Sequence, residues 1–329
     1  MKVLITGGAG FVGGQLAKEL CLKGHTVDIV DNFNRGVYDS FILDLVSNKS
    51  VKIFNVDLLD DRSLDKFDAD YNIVFHLAAI IGVTHVMQRP LEVLTANVRM
   101  TENVVALSKR QKKLHRLVFA STSEVYAGSL IHLQMAIPTP ESTPLALTSL
   151  ELPRTTYMLS KIYGEALLNM SGLPITNLRL HNVYGPRMGM SHVVPELIKK
   201  TWQAGDGDYI EVYNVDHRRS FCFIDDAIKM ISALALSSES VGMTVNVGND
   251  SPEISMGEVA ELIAAVVGRK VRIKPIPSDA GSPTRRCPDT TLLKKLTGIT
   301  SEFTLKMGVK ISYDWYRETV FEKQGISAK

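Results

Sequence analysis

The chain has 329 residues, 45% of them hydrophobic and 22% charged, with a formal net charge of +2. This balance suits a water-soluble globular protein of one large or two modest domains, and it gives no indication of a nucleic-acid or membrane partner. The three cysteines are widely spaced and odd in number, which fits neither a disulfide framework nor a zinc site. We therefore expect a cytoplasmic protein that binds no metal.

The first predicted elements are a strand, a glycine-rich turn and a helix. Lys2–Thr6 is a short apolar run, and the sequence Gly7-Gly8-Ala9-Gly10-Phe11-Val12-Gly13 follows it. Residues 15–23 then carry apolar side chains at helical spacing. Glycines let the backbone approach a diphosphate closely, and a helix N-terminus attracts its negative charge. This stretch therefore predicts a dinucleotide-binding turn.

The next predicted strand, residues 26–30, ends in Asp31. An acidic residue at the end of the second strand is placed to hydrogen-bond the adenosine ribose of a dinucleotide. A carboxylate there repels the additional phosphate of NADP, so Asp31 favours NAD as the cofactor. Arg35 follows four residues later, and its charge would weaken that preference.

Strands and helices continue to alternate along the chain. Predicted strands cover residues 51–56, 73–77 and 116–120, and a predicted helix covers residues 91–109. This alternation indicates a parallel sheet with helices on both faces, which binds ligands beyond the carboxyl ends of its strands. We predict a Rossmann-type, doubly wound α/β fold with polar residues at those strand ends: Asp31, Asp57, His76 and Ser121-Thr122-Ser123-Glu124.

Tyr157 and Lys161 lie four residues apart in a stretch with helical periodicity. Side chains at this spacing share one face of a helix. An ammonium beside a phenol stabilises the phenolate and lowers the pKa of the tyrosine, so Tyr157 would act as a base near neutral pH. The spacing is common by chance, and its weight depends on the dinucleotide turn upstream.

The segment 127–154 before this helix holds four prolines, which predicts a loop over the site with little helix. Beyond it the alternation loosens, with predicted helices and strands at residues 192–203, 209–213, 225–236, 243–247, 255–267 and 271–275. We predict an NAD-binding domain over residues 1–177. Residues 178–329 are predicted to form mainly a smaller α/β domain that holds the substrate, with the chain recrossing between the two.

Together these motifs resemble the extended short-chain dehydrogenase/reductase family, in its group of nucleotide-sugar epimerases, dehydratases and decarboxylases. The resemblance spans nearly the whole chain in order. It is carried by the glycine turn, Asp31-Asn32, Asp57-Leu58, His76-Leu77-Ala78-Ala79, Ser121 to Tyr126, Tyr157 to Lys161, Arg179 to Arg187, Arg219 to Asp226 and Arg285 to Asp289. It implies an NAD-dependent enzyme that acts on a nucleoside-diphosphate sugar and forms a homodimer.

The resemblance also implies the roles of individual residues. Tyr157 would take the proton of the sugar C4 hydroxyl, Lys161 would hold the cofactor ribose, and Thr122 would bind the same sugar oxygen. The implied cofactor-binding residues are Gly7, Gly10, Phe11, Val12, Gly13, Asp31, Asn32, Asp57, Leu58, Leu77, Ala78, Ala79, Tyr157 and Lys161. The implied substrate-binding residues are Thr122, Ser123, Glu124, Asn182, Arg187, Arg219 and Arg286.

The reaction itself stays open at this stage. A nucleotide-sugar 4-epimerase is the first expectation, because epimerisation is frequent in the group. Glu124 instead resembles the catalytic glutamate of the 4,6-dehydratases and of the UDP-glucuronate decarboxylases, and these are the main alternatives. A reductase of a nucleotide keto-sugar and a non-enzymatic NAD-binding module are two further readings.

Overall fold

The computed structural model describes residues 1–277, 281–323 and 325–326. Within these residues the strands are β1 (Lys2–Thr6), β2 (Thr26–Asp31), β3 (Val51–Asn55), β4 (Ile73–His76), β5 (Arg116–Thr122), β6 (Ile175–Leu180), β7 (Val183–Tyr184), β8 (Tyr209–Tyr213), β9 (Arg218–Arg219), β10 (Cys222–Phe223), β11 (Met243–Val247), β12 (Ile254–Ser255), β13 (Arg272–Ile276) and β14 (Arg285–Arg286).

The helices of the described part are α1 (Phe11–Leu22), α2 (Ser40–Ser47), α3 (Val83–Gln88), α4 (Pro90–Lys109), α5 (Ala127–His132), α6 (Pro153–Asn169), α7 (Val193–Gln203), α8 (Ile224–Leu236), α9 (Met256–Val267), α10 (Thr291–Thr297) and α11 (Leu305–Tyr316). Short 3-10 turns cover Asp61–Leu64, Ser123–Tyr126 and Ser238–Ser240, and one π-helical turn covers Arg317–Phe321. None of the helices that the structure describes has the length and apolar content needed to cross a membrane.

A seven-stranded parallel sheet with the order β11-β6-β5-β4-β1-β2-β3 forms the centre of the molecule. The sheet has a hydrophobic core on each face. Because side chains alternate along a strand, Val3 and Ile5 of β1 pack into one core and Leu4 into the other. Strands β2 and β3 follow on one side of β1 and strands β4, β5 and β6 on the other, so the direction in which the chain adds strands reverses at β1. This confirms the predicted doubly wound Rossmann-type fold, and it places the ligand crevice beyond the carboxyl end of β1.

The described part of the C-terminal half adds three small sheets and also contributes a strand to the large one. Its strand β11 pairs with β6 at the edge of the seven-stranded sheet, and the predicted division at residue 177 lies within β6. We keep this division as a proposal for where cofactor-holding and sugar-holding residues separate. Helices α10 and α11, which lie near the C-terminus, were not expected from the sequence.

The proline-rich segment 127–154 is mostly irregular, but it begins with a short helix. Helix α5 ends at His132, before the first proline at Pro138, so the prolines limit the helix without preventing it. The remainder of the segment is fastened to the C-terminal half by a bridge between Thr139 and Pro288. It therefore lies against the chain that carries Arg286.

Candidate active site

A cavity of about 620 Å³ opens beyond the carboxyl ends of the central strands. It brings together, from both halves of the chain, nearly all of the residues that the sequence predicted. These are Gly7, Gly10, Phe11, Val12, Gly13, Asp31, Asn32, Asp57, Leu58, Leu77, Ala78, Ala79, Thr122, Ser123, Glu124, Tyr157, Lys161, Asn182, Arg187 and Arg286. Arg219 is the predicted site residue that does not line it.

The glycine turn forms one end of this cavity and fits a dinucleotide diphosphate. Gly7 has a φ of +69°, and a Cβ on it would lie 2.8 Å from the backbone nitrogen of Ala78. A Cβ on Gly13 would overlap the carbonyl oxygen of Gly7. Helix α1 starts directly after Gly10 and has no acidic residue in its first turn, so its N-terminal charge is available to an anion.

A methyl group at Gly13 is therefore expected to displace the turn and to weaken NAD binding by at least about tenfold. The measurement is NAD affinity by isothermal titration of the Gly13→Ala variant. Gly24→Ala is the control: the φ of Gly24 is positive, so an alanine there strains the backbone, but nothing lies within 4 Å of an added Cβ. Equal loss of affinity in both variants would show that general backbone strain, not the turn, causes the effect.

Asp31 ends β2 beside the glycine turn. Its carboxylate accepts hydrogen bonds from the backbone nitrogens of Ala9, at 3.1 Å, and Phe33, at 2.9 Å. Burial raises the pKa of Asp31, and these two backbone hydrogen bonds oppose the rise. Asn32 donates to Asp57 at 3.3 Å, which joins the ends of β2 and β3 on the same rim. This rim has the acidic character expected of a ribose-binding edge.

Tyr157 and Lys161 lie one turn apart on α6, as their spacing predicted. The ammonium of Lys161 donates to the carbonyl oxygen of Ala120 at 2.7 Å and lies 5.9 Å from the centre of the Tyr157 ring. Burial lowers the pKa of Lys161 to about 7. The hydroxyl of Thr122 hydrogen-bonds Tyr157.

The expected lowering of the tyrosine pKa is wrong for the protein alone. Burial of the hydroxyl raises the pKa of Tyr157, and the nearby carboxylate of Glu124 raises it further. The hydrogen bond from Thr122 and the charge of Arg35 act in the opposite direction but do not prevail. Lys161 contributes little because burial also destabilises its own charge. Tyr157 is thus a neutral phenol in this structure.

Glu124 lies between two arginines, in the 3-10 turn that follows β5. Its carboxylate is 2.8 Å from Arg286 and 3.4 Å from Arg154. Burial alone would raise the pKa of Glu124, but Arg286 and Arg154 hold it at about 2. Arg286 is itself buried, and its Nε and Nη2 have no hydrogen-bond partner in the described part of the chain. Unpaired nitrogens on a buried cation indicate a binding position for an anion.

This ion pair predicts a pH dependence of stability. Since the pKa of Glu124 is lower in the folded than in the unfolded state, its stabilising effect is complete above about pH 5 and is lost as the pH falls towards 2. Wild type should exceed Glu124→Gln by about 3 kcal/mol in free energy of unfolding at pH 7. Urea denaturation at stepped pH measures this gap, with exposed Glu261→Gln as the control. A gap that is the same at pH 7 and pH 3 would contradict the assignment.

The remaining predicted ligands are engaged by the protein itself. Arg219 donates to the carbonyl oxygens of Arg218, Thr284 and Pro283 and to the hydroxyl of Ser282, at 2.7–3.1 Å. Its role in substrate binding stays a prediction. Arg187 pairs with Asp39 at 2.8 Å and lies over the glycine turn. The side-chain amide of Asn182 donates to the carbonyl oxygen of Ser220.

A buried polar network lies beneath the site. Arg179 forms two hydrogen bonds to Glu165, one turn after Lys161, and a third to the hydroxyl of Tyr126. These bonds hold α6 against β6 and so fix the position of Lys161 relative to the sheet. His181, which follows β6, is fully buried and hydrogen-bonds Asn246 at 3.1 Å. It does not line the cavity.

Among the basic residues that line the cavity, the sequence motifs missed three: Arg154, Arg35 (noted only for its effect on NADP) and His192. Arg154 lies one turn before Tyr157 on α6, so its spacing could have placed it on the catalytic face. The other two come from connecting segments, where no periodicity indicates direction. No cluster of His, Cys, Asp and Glu able to hold a metal ion occurs within residues 1–277, 281–323 and 325–326.

The sequence profile of the NAD dependent epimerase/dehydratase family matches residues 3–248. The chain belongs to this family. The match covers the glycine turn, Asp31, Glu124, Tyr157 and Lys161 within one continuous region. It confirms the predicted class, an NAD-dependent enzyme of the epimerase/dehydratase group.

Proteins that are similar to this chain are named for different reactions. One is the UDP-N-acetyl-alpha-D-glucosaminuronate decarboxylase of Bacillus cytotoxicus, 32% identical over 330 residues, or 96% of this chain and 98% of that protein. Another is UDP-glucuronic acid decarboxylase 1 of Xenopus tropicalis, 30% identical over 96% of this chain and 72% of that protein. A solved structure, the UDP-glucose 4-epimerase of Thermus thermophilus in complex with NAD, has 25% identity and a TM-score of 0.82 over 97% of this chain and 100% of that one.

Proposed function

We propose that this enzyme removes carbon dioxide from a nucleoside-diphosphate uronic acid after transient oxidation of the sugar at C4. The observation that carries the proposal is the buried guanidinium of Arg286, with two unpaired nitrogens beside the ionised Glu124. With Arg154, two cations face one anion, which leaves net positive charge for a substrate carboxylate. The names of the two decarboxylases among the relatives support the same choice.

The C4 step rests on Tyr157, Lys161 and Thr122. NAD, when bound, supplies the acceptor that takes the C4 hydride and later returns it. Tyr157 takes the proton of the C4 hydroxyl, and Thr122, which is hydrogen-bonded to Tyr157, holds the same oxygen. Because the phenol is neutral in this structure, a positive charge added beside it on cofactor binding is needed to lower its pKa. Lys161, fixed by the carbonyl of Ala120, holds the cofactor ribose.

Loss of carbon dioxide needs no base at C5. With a carbonyl at C4, the electron pair of the bond between C5 and C6 moves towards the C4 oxygen as carbon dioxide leaves. A proton from water then adds to C5 and restores the C4 carbonyl. When the hydride returns to C4, Tyr157 gives its proton back to the C4 oxygen. Dehydration instead requires a base to take the C5 proton, and Glu124, with a pKa held at about 2, is a weak base at neutral pH. Glu124 serves better as the group that orients Arg286 and Arg154.

Epimerisation at C4, the first expectation from the sequence, is the second candidate. Tyr157, Lys161 and Thr122 would perform the same oxidation, and the similar Thermus thermophilus structure is named as a 4-epimerase. Epimerisation requires the keto sugar to present its other face before the hydride returns. Two arginines that hold a carboxylate on C5 would oppose this reorientation.

The test is a substrate panel analysed by mass spectrometry. The protein with NAD is incubated with UDP-glucose, UDP-glucuronic acid and the N-acetylglucosamine counterparts of both. The proposal predicts that the acids lose the mass of carbon dioxide and that the neutral sugars are not consumed. New isomers of unchanged mass from the neutral sugars, without change in the acids, would replace decarboxylation by epimerisation.

We also propose that the enzyme is a homodimer built on α4 and α6. These helices pack together within the chain, and both leave apolar side chains exposed, among them Leu91 and Tyr163. Sedimentation of wild type and of Leu91→Glu would test this pairing. A dimer of unchanged stability in the variant would place the interface elsewhere.

A further inference from the structure

Arg35 lies on one side of the cavity and hydrogen-bonds a backbone group on the other side. It follows β2, and its Nη1 donates to the carbonyl oxygen of Ile81, which follows β4, at 2.9 Å. Its Nη2 lies 3.8 Å from the position of a Cβ on Gly82. Because β2 and β4 flank β1 in the sheet, this bridge spans the strand end that leads into the glycine turn.

Both ends of the bridge are held in place. Next to Arg35, a Cβ on Gly36 would meet the carboxylate of Asp31 at 2.8 Å, so only glycine lets this segment lie against the ribose-binding carboxylate. At the other end, Asn97 accepts a hydrogen bond from the nitrogen of Ile80 at 2.7 Å and donates to its carbonyl oxygen at 3.1 Å. The bridge is thus anchored to the ribose edge and to α4.

The charge of Arg35 has no carboxylate partner within the described part of the chain, and one hydrogen bond uses only one of its five donors. The positive charge of Arg35 also affects ionisable groups in the catalytic region. Burial lowers the pKa of His192, and the charge of Arg35 lowers it further. Arg35 also acts on the phenol of Tyr157. A cation in this position is suited to an anionic ligand lying over the glycine turn.

We propose that Arg35 is a clasp over the bound dinucleotide. Its remaining guanidinium donors pair with the cofactor diphosphate, while the bond to Ile81 closes the groove above it. The clasp would slow the dissociation of NAD. A reaction that returns the hydride to the sugar restores NAD in the site, so the enzyme does not need to release the cofactor. This proposal concerns the retention of NAD and holds for whichever sugar product is formed.

The test measures the release of NAD directly. Wild type and variants are loaded with NAD, and the NAD that remains bound is followed by chromatography while an NAD-degrading glycohydrolase removes the free cofactor. Arg35→Ala should release NAD about tenfold faster than wild type. Arg35→Lys, which keeps the charge, and Arg35→Gln, which keeps a donor for Ile81, should each fall between the two. Arg272→Ala, at an exposed position on β13 outside the cavity, is the matched control.

Two results would overturn the proposal. One is a release rate for Arg35→Ala within twofold of wild type and of the control. The other is a variant that retains NAD normally but changes its affinity for NADP, which would make Arg35 a selector at the ribose phosphate. Unfolding temperatures measured without cofactor show whether the variants are folded, since Arg35 makes few contacts within the protein.

Discussion

Tyr157→Phe should lower C4 oxidation by about 10²–10⁴-fold, because it removes the group that transfers the hydroxyl proton and keeps the ring. Binding of NAD should persist, since the glycine turn, Asp31 and Lys161 are unchanged. The measurement is the pre-steady-state formation of NADH absorbance with substrate in excess, together with the NAD content of the purified protein.

Tyr163→Phe provides the control on the same helix. Tyr163 is 38% exposed and donates its hydroxyl to Glu102 at 2.8 Å, away from the cavity. It should retain wild-type turnover. Near-normal oxidation by Tyr157→Phe would remove the tyrosine from the mechanism, whatever the final product.

Arg286→Met should lower decarboxylation of a uronic acid by about 100-fold or more, because a charge-assisted, bidentate contact to the carboxylate is lost. Glu124 would then have only Arg154 beside it. Methionine keeps much of the side-chain volume, which limits the effect on packing. The measurement is the release of carbon dioxide per molecule of substrate.

Arg154→Met should produce a smaller loss, since Arg154 lies farther from Glu124 and is more exposed. Arg272→Met should have no effect. If Arg286→Met weakened the binding of free UDP as much as that of the uronic acid, Arg286 would belong to the diphosphate site. That outcome would remove the main support for a carboxylate at this position.

The cofactor half of the site was largely predictable from the sequence, because its determinants are local. The glycine turn must follow a strand, Asp31 must end the next strand, and the spacing of Tyr157 and Lys161 fixes them on one face of α6. Parallel strands then bring these separate motifs to one edge. Local pattern and topology together were sufficient.

The sugar end was less predictable, because it depends on contacts between distant segments. Arg286 reaches Glu124 from a position 162 residues away in sequence, and Arg35 crosses to Ile81. Nothing in either segment indicates these directions. The direction of the pKa shift of Tyr157 was predicted wrongly, because the sequence shows which charges are near but not how deeply the hydroxyl is buried.

The most direct test of the central proposal uses UDP-glucuronic acid labelled with carbon-13 at the carboxyl carbon. The protein is incubated with this substrate and NAD, and both the gas phase and the nucleotide product are analysed by mass spectrometry. We predict one labelled carbon dioxide for each UDP-pentose formed, with no net NADH. A consumed substrate that keeps its label in a product of unchanged mass would contradict decarboxylation and would favour epimerisation.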